Sequence, residues 1–209
     1  MRSRRKRCCH GAGGSVRIGV LALQGDYAAH RQALGERGIA TCEVRTAADL
    51  AGLGGIVLPG GESTTMMSFL RGTPLAAALV RSIQAGMPVL ATCAGVILLA
   101  REVRNPPQDS LALLDVVVER NAYGRQREST VVPLQVEDAA ALGSSTLEGV
   151  FIRAPRIVAH APTVTVLARR GADPVLVRQG QILAATFHPE LSANSPVVDR
   201  FLSLCGGAP

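Results

Sequence analysis

Cys93 lies between two apolar segments of the sequence, a position suited either to a buried packing residue or to a nucleophile. Residues 87–92 are predicted to form a strand, and residues 94–101 are predicted to form a helix. A sharp strand-to-helix turn with small neighbours exposes a nucleophile, and the helix N-terminus favours a thiolate and stabilises an oxyanion. The setting therefore favours a nucleophile, although the spacing alone leaves an ordinary buried cysteine open.

A thiolate nucleophile needs a base, and three histidines follow the N-terminal tail: His30, His160 and His188. His30 falls in the middle of a predicted helix, on what we expect to be its surface, and His160 falls in a strand-like segment. His188 ends a strand-like segment, and alternation in an extended chain would place Glu190 on the same side. Glu190 would then orient the imidazole as the third member of a triad does. The alternative is a turn with an exposed histidine and glutamate.

Residues 58–64, Leu-Pro-Gly-Gly-Glu-Ser-Thr, have the composition of a loop that binds a ligand through its backbone. Gly60 and Gly61 would let main-chain N–H groups approach a ligand closely, and the start of a helix adds a positive dipole end. The same residues also fit a glycine turn followed by a Ser/Thr cap, with Glu62 in the first helical turn.

The elements that must position these residues alternate along the first half of the chain. Strands are predicted at residues 16–23, 41–45, 54–61 and 87–92. Helices are predicted at residues 27–37, from Thr64 or Thr65 onwards, and at 75–85 and 94–101. This alternation predicts a parallel sheet covered on both faces, with ligands beyond the carboxyl ends of its strands.

The second half of the chain is rich in strand-like segments with little helix between them. These segments cover residues 115–120, 129–136, 149–155, 156–161, 164–170, 174–179 and 181–190. We expect several of them to pair antiparallel, as an added sheet or as an extension of the main one. A last helix fits residues 196–205. Residues 16–209 contain no internal repeat and no low-complexity linker, and are expected to form one domain.

The charge distribution argues against a nucleic-acid partner. Residues 1–7 supply five of the six net positive charges of this 209-residue chain, so the rest is nearly neutral. A basic stripe with interleaved aromatic residues, which would track phosphates, is absent from the sequence. Lys6 is the only lysine, so the body of the protein has no amine for a Walker-type loop or a Schiff base.

The remaining composition points to a cytoplasmic protein. The five cysteines follow no disulfide framework, which suits a reducing compartment. No apolar segment approaches the roughly 20 residues of a membrane span, and the basic start lacks the apolar region of a signal peptide. Residues 1–15 are expected to be a disordered extension, in which Cys8, Cys9 and His10 lack a second ligand pair for a metal.

Six segments together resemble one known family, the glutaminase subunits of two-component pyridoxal 5'-phosphate synthases. These are class I, triad-type glutamine amidotransferases. The segments are LALQGD (21–26), LPGGESTT (58–65), TCAG (92–95), ERNAYGRQ (119–126), FIRAP (151–155) and HPEL (188–191). The resemblance extends from Val16 to about Leu204. It implies a flavodoxin-like, three-layer fold with a mostly parallel open sheet and additional antiparallel strands in the C-terminal half.

The resemblance also implies a mechanism and a partner. Cys93 would be the nucleophile, His188 the base and Glu190 its orienting acid, with backbone N–H groups of Gly61 and Ala94 forming the oxyanion hole. Glutamine would be bound by six residues: Gly61, Glu62, Ser63, Arg120, Ile152 and Arg153. No cofactor and no metal is implied. The ammonia would pass to a synthase subunit, with one glutaminase docked on each synthase subunit.

Two other classes of function stay open at this point. A cysteine peptidase or other hydrolase on the same sheet would turn over peptides or esters and would not prefer free glutamine. A non-catalytic binding module would more naturally have lost Cys93 or His188, and both are present.

Overall fold

The computed structural model of the chain describes residues 16–120, 122 and 130–206. The predicted extension 1–15, with Cys8, Cys9 and His10, lies outside the described residues. So does most of the ERNAYGRQ segment beyond Arg120.

The described residues contain twelve strands. The strands are β1 Arg17–Leu21, β2 Ala40–Val44, β3 Gly55–Leu58, β4 Val89–Thr92, β5 Ala100–Arg104, β6 Leu114–Glu119, β7 Thr130–Val136, β8 Leu147–Phe151, β9 Arg156–His160, β10 Thr165–Arg170, β11 Asp173–Gln179 and β12 Ile182–Ala185. The α-helices are α1 Tyr27–Gly35, α2 Ser63–Leu70, α3 Pro74–Gln84, α4 Ala94–Leu99, α5 Ala139–Leu142 and α6 Pro196–Leu204, and two short 3₁₀ helices cover Ala47–Leu50 and Pro189–Leu191. None of these helices is long and apolar enough to span a membrane.

Nine of the strands form one sheet, in the order β2-β1-β3-β4-β12-β11-β10-β7-β8. The pairs from β2 to β12 are parallel, and those from β12 to β8 are antiparallel. The carboxyl ends of β1, β3, β4 and β12 therefore lie at one edge of the sheet. Because the strand direction reverses four times between β12 and β8, the carboxyl end of β8 lies at that edge too. Five chain segments thus converge on one site.

The parallel half is buried on both faces, as predicted. Ile56 and Leu58 of β3 pack on one face with residues of α2, α3 and α4, such as Leu79. Val57 points to the other face and packs with Leu34 of α1 and Phe201 of α6. Adjacent residues of one strand thus enter two separate cores. This explains why the strands read as continuous apolar runs and confirms the three-layer arrangement.

The helix predicted at residues 94–101 is wrong at its C-terminal end. α4 stops at Leu99, and Ala100 begins β5, which pairs parallel with β6. β6 also pairs antiparallel with β9, so the described residues contain a second, three-stranded sheet. Pairing with β6 buries Ala100 and Val103, and this tertiary pairing overrides the local helical pattern.

Candidate active site

Cys93 occupies the sharp turn that the sequence predicts between β4 and α4. Its φ of 46° and ψ of −103° lie in a region that side-chain-bearing residues rarely adopt, at a cost of about 1–3 kcal/mol. The surrounding structure imposes this conformation, because the Cys93 N–H donates to the carbonyl of Ala185 at 2.9 Å. Gly95 allows the close packing of α4 on β3, since a Cβ there would lie 2.1 Å from the carbonyl oxygen of Leu58. The turn therefore holds the thiol above the sheet edge.

His188 lies beyond β12 at the same edge, and its ring faces Glu190. The main-chain N–H of His188 donates to the carbonyl of Val150 at 2.9 Å. Its Nδ1 lies 2.8 Å from Glu190 Oε1, and both side chains are buried. The alternation argument for this contact is wrong, because His188 precedes the 3₁₀ helix Pro189–Leu191 and the segment is not extended. The helical turn, not the pleat of a strand, brings the carboxylate back to the imidazole.

The electrostatics of this pair favour an ion pair. Burial opposes the charged form of His188, but hydrogen bonds to Cys93 and Glu190 outweigh it and raise the imidazole pKa to about 10. Burial likewise opposes the charged form of Glu190, but His30 and His188 outweigh it and lower the carboxyl pKa to about 2. Since Nδ1 faces Glu190, the other ring nitrogen of His188 is available to Cys93. This is the arrangement that a thiolate and a general acid–base require.

His30 is not on the surface, as the sequence analysis expected, but is 99% buried beside this pair. Its Nε2 lies 3.0 Å from Thr92 Oγ1 and 3.3 Å from Glu190 Oε1. The missed signal is helical spacing: His30 shares the buried face of α1 with Ala33 and Leu34, three and four residues later.

The loop after β3 approaches the site closely through its two glycines. Gly61 has a φ of 142°, and a Cβ there would lie 2.6 Å from Gln24 Oε1. A Cβ at Gly60 would lie 2.5 Å from Cε1 of His188. Both positions therefore require glycine, for its backbone at Gly61 and for its lack of a side chain at Gly60.

The loop after β1 anchors this glycine loop. The Asp26 N–H donates to the carbonyl of Gly60 at 3.1 Å, and the Glu62 N–H donates to Gln24 Oε1 at 2.7 Å. Two peptide groups of the glycine loop are thus oriented by the segment that leads into α1.

Glu62 itself caps α2, so the alternative of a Ser/Thr cap with Glu62 in the first helical turn is wrong, and the helix begins at Ser63 rather than at Thr64 or Thr65. The Glu62 carboxylate accepts from the main-chain N–H groups of Thr64 at 3.2 Å and Thr65 at 2.6 Å. Burial alone would raise its pKa, but these bonds lower it. Arg120 Nη2 lies 3.3 Å from Glu62 Oε1.

One pocket brings together the site residues that the resemblance implies, apart from Glu190, which lies behind His188. The pocket is lined by Asp26, Gly61, Glu62, Ser63, Cys93, Ala94, Ile97, Arg120, Ile152, Arg153, Pro155 and His188. Cys93 Sγ lies 3.9 Å from the carbonyl oxygen of Ile152. Two arginines in the lining of a pocket that also holds a thiol suit a small substrate that carries a carboxylate. Within the described ranges, no group of three or more His, Cys, Asp or Glu residues is placed to bind a metal ion.

Comparisons with known proteins show the family of the chain. The model of the SNO glutamine amidotransferase family matches residues 20–205. Two proteins named pyridoxal 5'-phosphate synthase subunit PdxT are similar to the chain. The one from Thermotoga neapolitana is 47% identical over 90% of this chain and 99% of its own length. The one from Thermus thermophilus is 48% identical over 90% and 97%, respectively.

A solved structure shows the same fold. It is described as a glutamine amidotransferase and superposes with a TM-score of 0.83 at 44% identity, covering 90% of this chain and 98% of its own. The flavodoxin-like, class I amidotransferase fold expected from the sequence is confirmed.

Proposed function

Because the chain belongs to the SNO glutamine amidotransferase family, we propose that it is the glutaminase subunit of a pyridoxal 5'-phosphate synthase. It hydrolyses L-glutamine to L-glutamate and ammonia. The observation that carries this function is the Cys93 elbow beside the His188–Glu190 pair, in a pocket that also holds two arginines. A peptidase would have no need of paired arginines for a free carboxylate.

The reaction follows from the charges of these groups. The thiolate of Cys93 attacks the side-chain carboxamide carbon of glutamine, and the new C–S bond leaves the negative charge on the oxygen. When the tetrahedral intermediate collapses, the C–N bond breaks and imidazolium His188 gives its proton to the departing ammonia. Neutral His188 then takes a proton from water, which attacks the thioester and releases glutamate and the thiolate. Glu190 orients the imidazole throughout.

The oxyanion of both intermediates is stabilised by main-chain N–H groups. One N–H group belongs to Ala94, which follows the nucleophile directly and is the first residue of α4. The other belongs to Gly61 in the glycine loop. Each such donor contributes roughly a 100- to 1,000-fold rate enhancement.

The pocket rim recognises the amino-acid end of glutamine. Arg120 and Arg153 pair with the α-carboxylate, and the half-exposed carboxylate of Glu62 faces the α-ammonium. Ser63 and the main chain of Ile152 complete the substrate site. The existing bonds of Glu62 to the N-terminus of α2 hold its carboxylate in place for this role.

The ammonia is delivered to a second protein, the synthase subunit, which joins it to a pentose phosphate and a triose phosphate. A chain without a lysine beyond Lys6 cannot perform the imine chemistry itself, which supports this division of labour. We infer a large complex in the cytoplasm with one glutaminase docked on each synthase subunit, and no nucleic-acid, membrane or cofactor partner.

Docking switches the glutaminase on. Gly60 and Gly61 can adopt more than one backbone conformation at little cost, and among the described residues two hydrogen bonds from the segment after β1 hold the loop. We infer that docking at the rim of the pocket turns an oxyanion donor inward.

The test is a titration of the chain with the synthase subunit of the same organism, following glutamate release by a coupled assay. Glutamate release is expected to rise roughly 100- to 1,000-fold to a plateau, and peptides and esters are expected to be poor substrates. A full rate in the isolated chain would contradict the switch, and efficient peptide or ester hydrolysis without glutamine hydrolysis would favour the cysteine-hydrolase alternative.

A further inference from the structure

We propose that His30 is a positioning residue for the reaction: it holds the Glu190 carboxylate against His188 and ties that pair to the strand of the nucleophile. The expected effect of His30 on glutamine turnover rests on the proposed function. The contacts that His30 makes do not depend on that function. His30 belongs to α1, which is far from Cys93 and His188 along the chain. In the structure its buried ring nevertheless lies at the site.

The Glu190 carboxylate is held through one oxygen. Oε1 lies 2.8 Å from Nδ1 of His188 and 3.3 Å from Nε2 of His30. The other oxygen, Oε2, is buried and has no hydrogen-bond partner among the residues that the structure describes. The orientation of the carboxylate therefore depends on its two histidine contacts. Without His30, a single bond to His188 would remain to set the rotation of the carboxylate.

The polarity of these contacts follows from the charges. Glu190 is ionised and offers only acceptors, so the Nε2 of His30 presents its N–H side in the ion-pair contact with Oε1 at 3.3 Å. The hydrogen bond of the same nitrogen is with Thr92 Oγ1 at 3.0 Å, and it fixes the ring from the side of β4. Thr92 is fully buried and directly precedes Cys93. His30 thus joins the turn that carries the base to the strand that carries the nucleophile.

The contacts of His30 with Thr92 and Glu190 affect the distance between the Cys93 thiol and the His188 imidazole. The thiol leaves the end of β4, whereas His188 and Glu190 lie in the segment after β12. A shift of one relative to the other would separate thiol and imidazole, and misplacement by about 1 Å can cost roughly 100-fold in rate. A histidine that only filled space between α1 and the sheet would not affect the chemistry of a folded protein.

Two substitutions of similar size separate these roles. His30→Gln keeps a donor, because the glutamine amide reaches about as far as the imidazole Nε2, whereas His30→Met fills the same space without a donor. His30→Asn is a third variant, whose amide is too short to reach Glu190. His160→Gln is the matched control, because His160 is exposed at the end of β9.

Each variant is assayed in the complex with the synthase subunit for kcat and KM toward glutamine, and its melting temperature is measured. A second readout needs no glutamine: the rate at which iodoacetamide alkylates Cys93 at neutral pH, followed by mass spectrometry of the Cys93 peptide. This rate reports the reactivity of the Cys93 sulfur beside His188.

For His30→Met and His30→Asn we expect kcat to fall about 10- to 100-fold, as for the loss of one hydrogen bond to a charged group. Their KM should change little, and Cys93 alkylation should slow. His30→Gln should keep kcat and alkylation within about fivefold of wild type, a loss under 1 kcal/mol, and His160→Gln should match wild type.

The inference is overturned if a folded His30→Met or His30→Asn reacts like wild type, or if His30→Gln is as impaired as they are. If neither His30→Met nor His30→Asn folds, the Cys93 alkylation rate of His30→Gln decides the question. A rate equal to that of wild type supports the inference, and a tenfold slower rate refutes it. If the wild-type complex releases no glutamate but the alkylation rates differ as expected, the proposed function fails while the role of His30 stands.

Discussion

The buried part of the active site and the rim of its pocket are built in different ways. We call Cys93, His188, Glu190 and His30 the reacting cluster, and Gly61, Glu62, Arg120 and Arg153 the pocket rim. All four members of the reacting cluster are buried and follow or lie within regular elements. In the pocket rim, by contrast, the Glu62 side chain is 47% exposed, and Gly61 and Arg153 lie in loops between regular elements.

This difference indicates that the reacting cluster and the pocket rim have different roles. Burial strengthens the hydrogen bonds and charge interactions of the reacting cluster, and these interactions keep His188 and Glu190 charged against the cost of burial. The pocket rim must admit a polar substrate and remain open to a partner, so it consists of loops and long charged side chains. We therefore expect substitutions in the reacting cluster to reduce kcat, and substitutions in the pocket rim to change KM or the response to the partner.

The largest effect is expected for Cys93→Ala. It removes the proposed nucleophile and should reduce glutamate release by the partner-bound enzyme about 10⁴-fold or more, as for other members of a catalytic unit. His188→Ala should be nearly as damaging. Cys42→Ala is the control, because this buried cysteine lies on β2, away from the pocket. Cys93→Ala activity within tenfold of wild type would refute the assignment.

A smaller loss of kcat is expected for Glu190→Gln, because Glu190 orients His188 and does not itself react.

The same substitution also tests the ion pair through the pH dependence of protein stability. The lowered pKa of Glu190 stabilises the fold above pH 4.5 and ceases to do so as the pH falls toward 2. The raised pKa of His188 stabilises the fold below pH 6.5 and ceases to do so as the pH rises through 10.

The free energy of unfolding of wild type and Glu190→Gln should therefore differ most between pH 4.5 and 6.5, where the stabilising contributions of both groups are fully present. The difference should narrow toward lower and higher pH. Chemical denaturation across this range measures it, and a difference independent of pH would contradict the ion pair.

In the pocket rim, Arg120→Ala should act on substrate binding. Losing one charge-assisted hydrogen bond to the α-carboxylate should raise KM for glutamine about 10- to 100-fold with a smaller change in kcat. Arg104→Ala is a matched control, since Arg104 pairs with Glu102 on β5, outside the pocket. An unchanged KM in the assembled complex would show that Arg120 does not bind substrate.

The smallest effect is expected from deleting residues 1–15. The basic, glycine-rich composition of this segment predicts that it does not contribute to the fold, and β1 begins only at Arg17. A chain that starts at Val16 should match the full chain in melting temperature and in partner-dependent activity. A loss of either would show that these residues pack on the domain or bind the partner.

Much of the parallel half could be predicted from the sequence. Apolar runs such as β3 and β4 are buried on both faces, and their local pattern already contains that information. The turn at Cys93 was also predictable from the local sequence, because small residues, a strand and a helix start are adjacent along the chain. β5 was not predictable, because Ala100–Arg104 becomes a strand only through its pairing with β6.

The sequence by itself determined which residue types are available: one cysteine at an elbow, a histidine and a glutamate two residues apart, a glycine pair and no lysine in the body. Only the tertiary structure decided how they meet. The 3₁₀ turn after His188, the cap that Glu62 provides for α2, and the burial of His30 against Glu190 depend on contacts between segments far apart in the chain. Local patterns encode periodicity, whereas the partners of a buried polar group are set by the packing of whole elements.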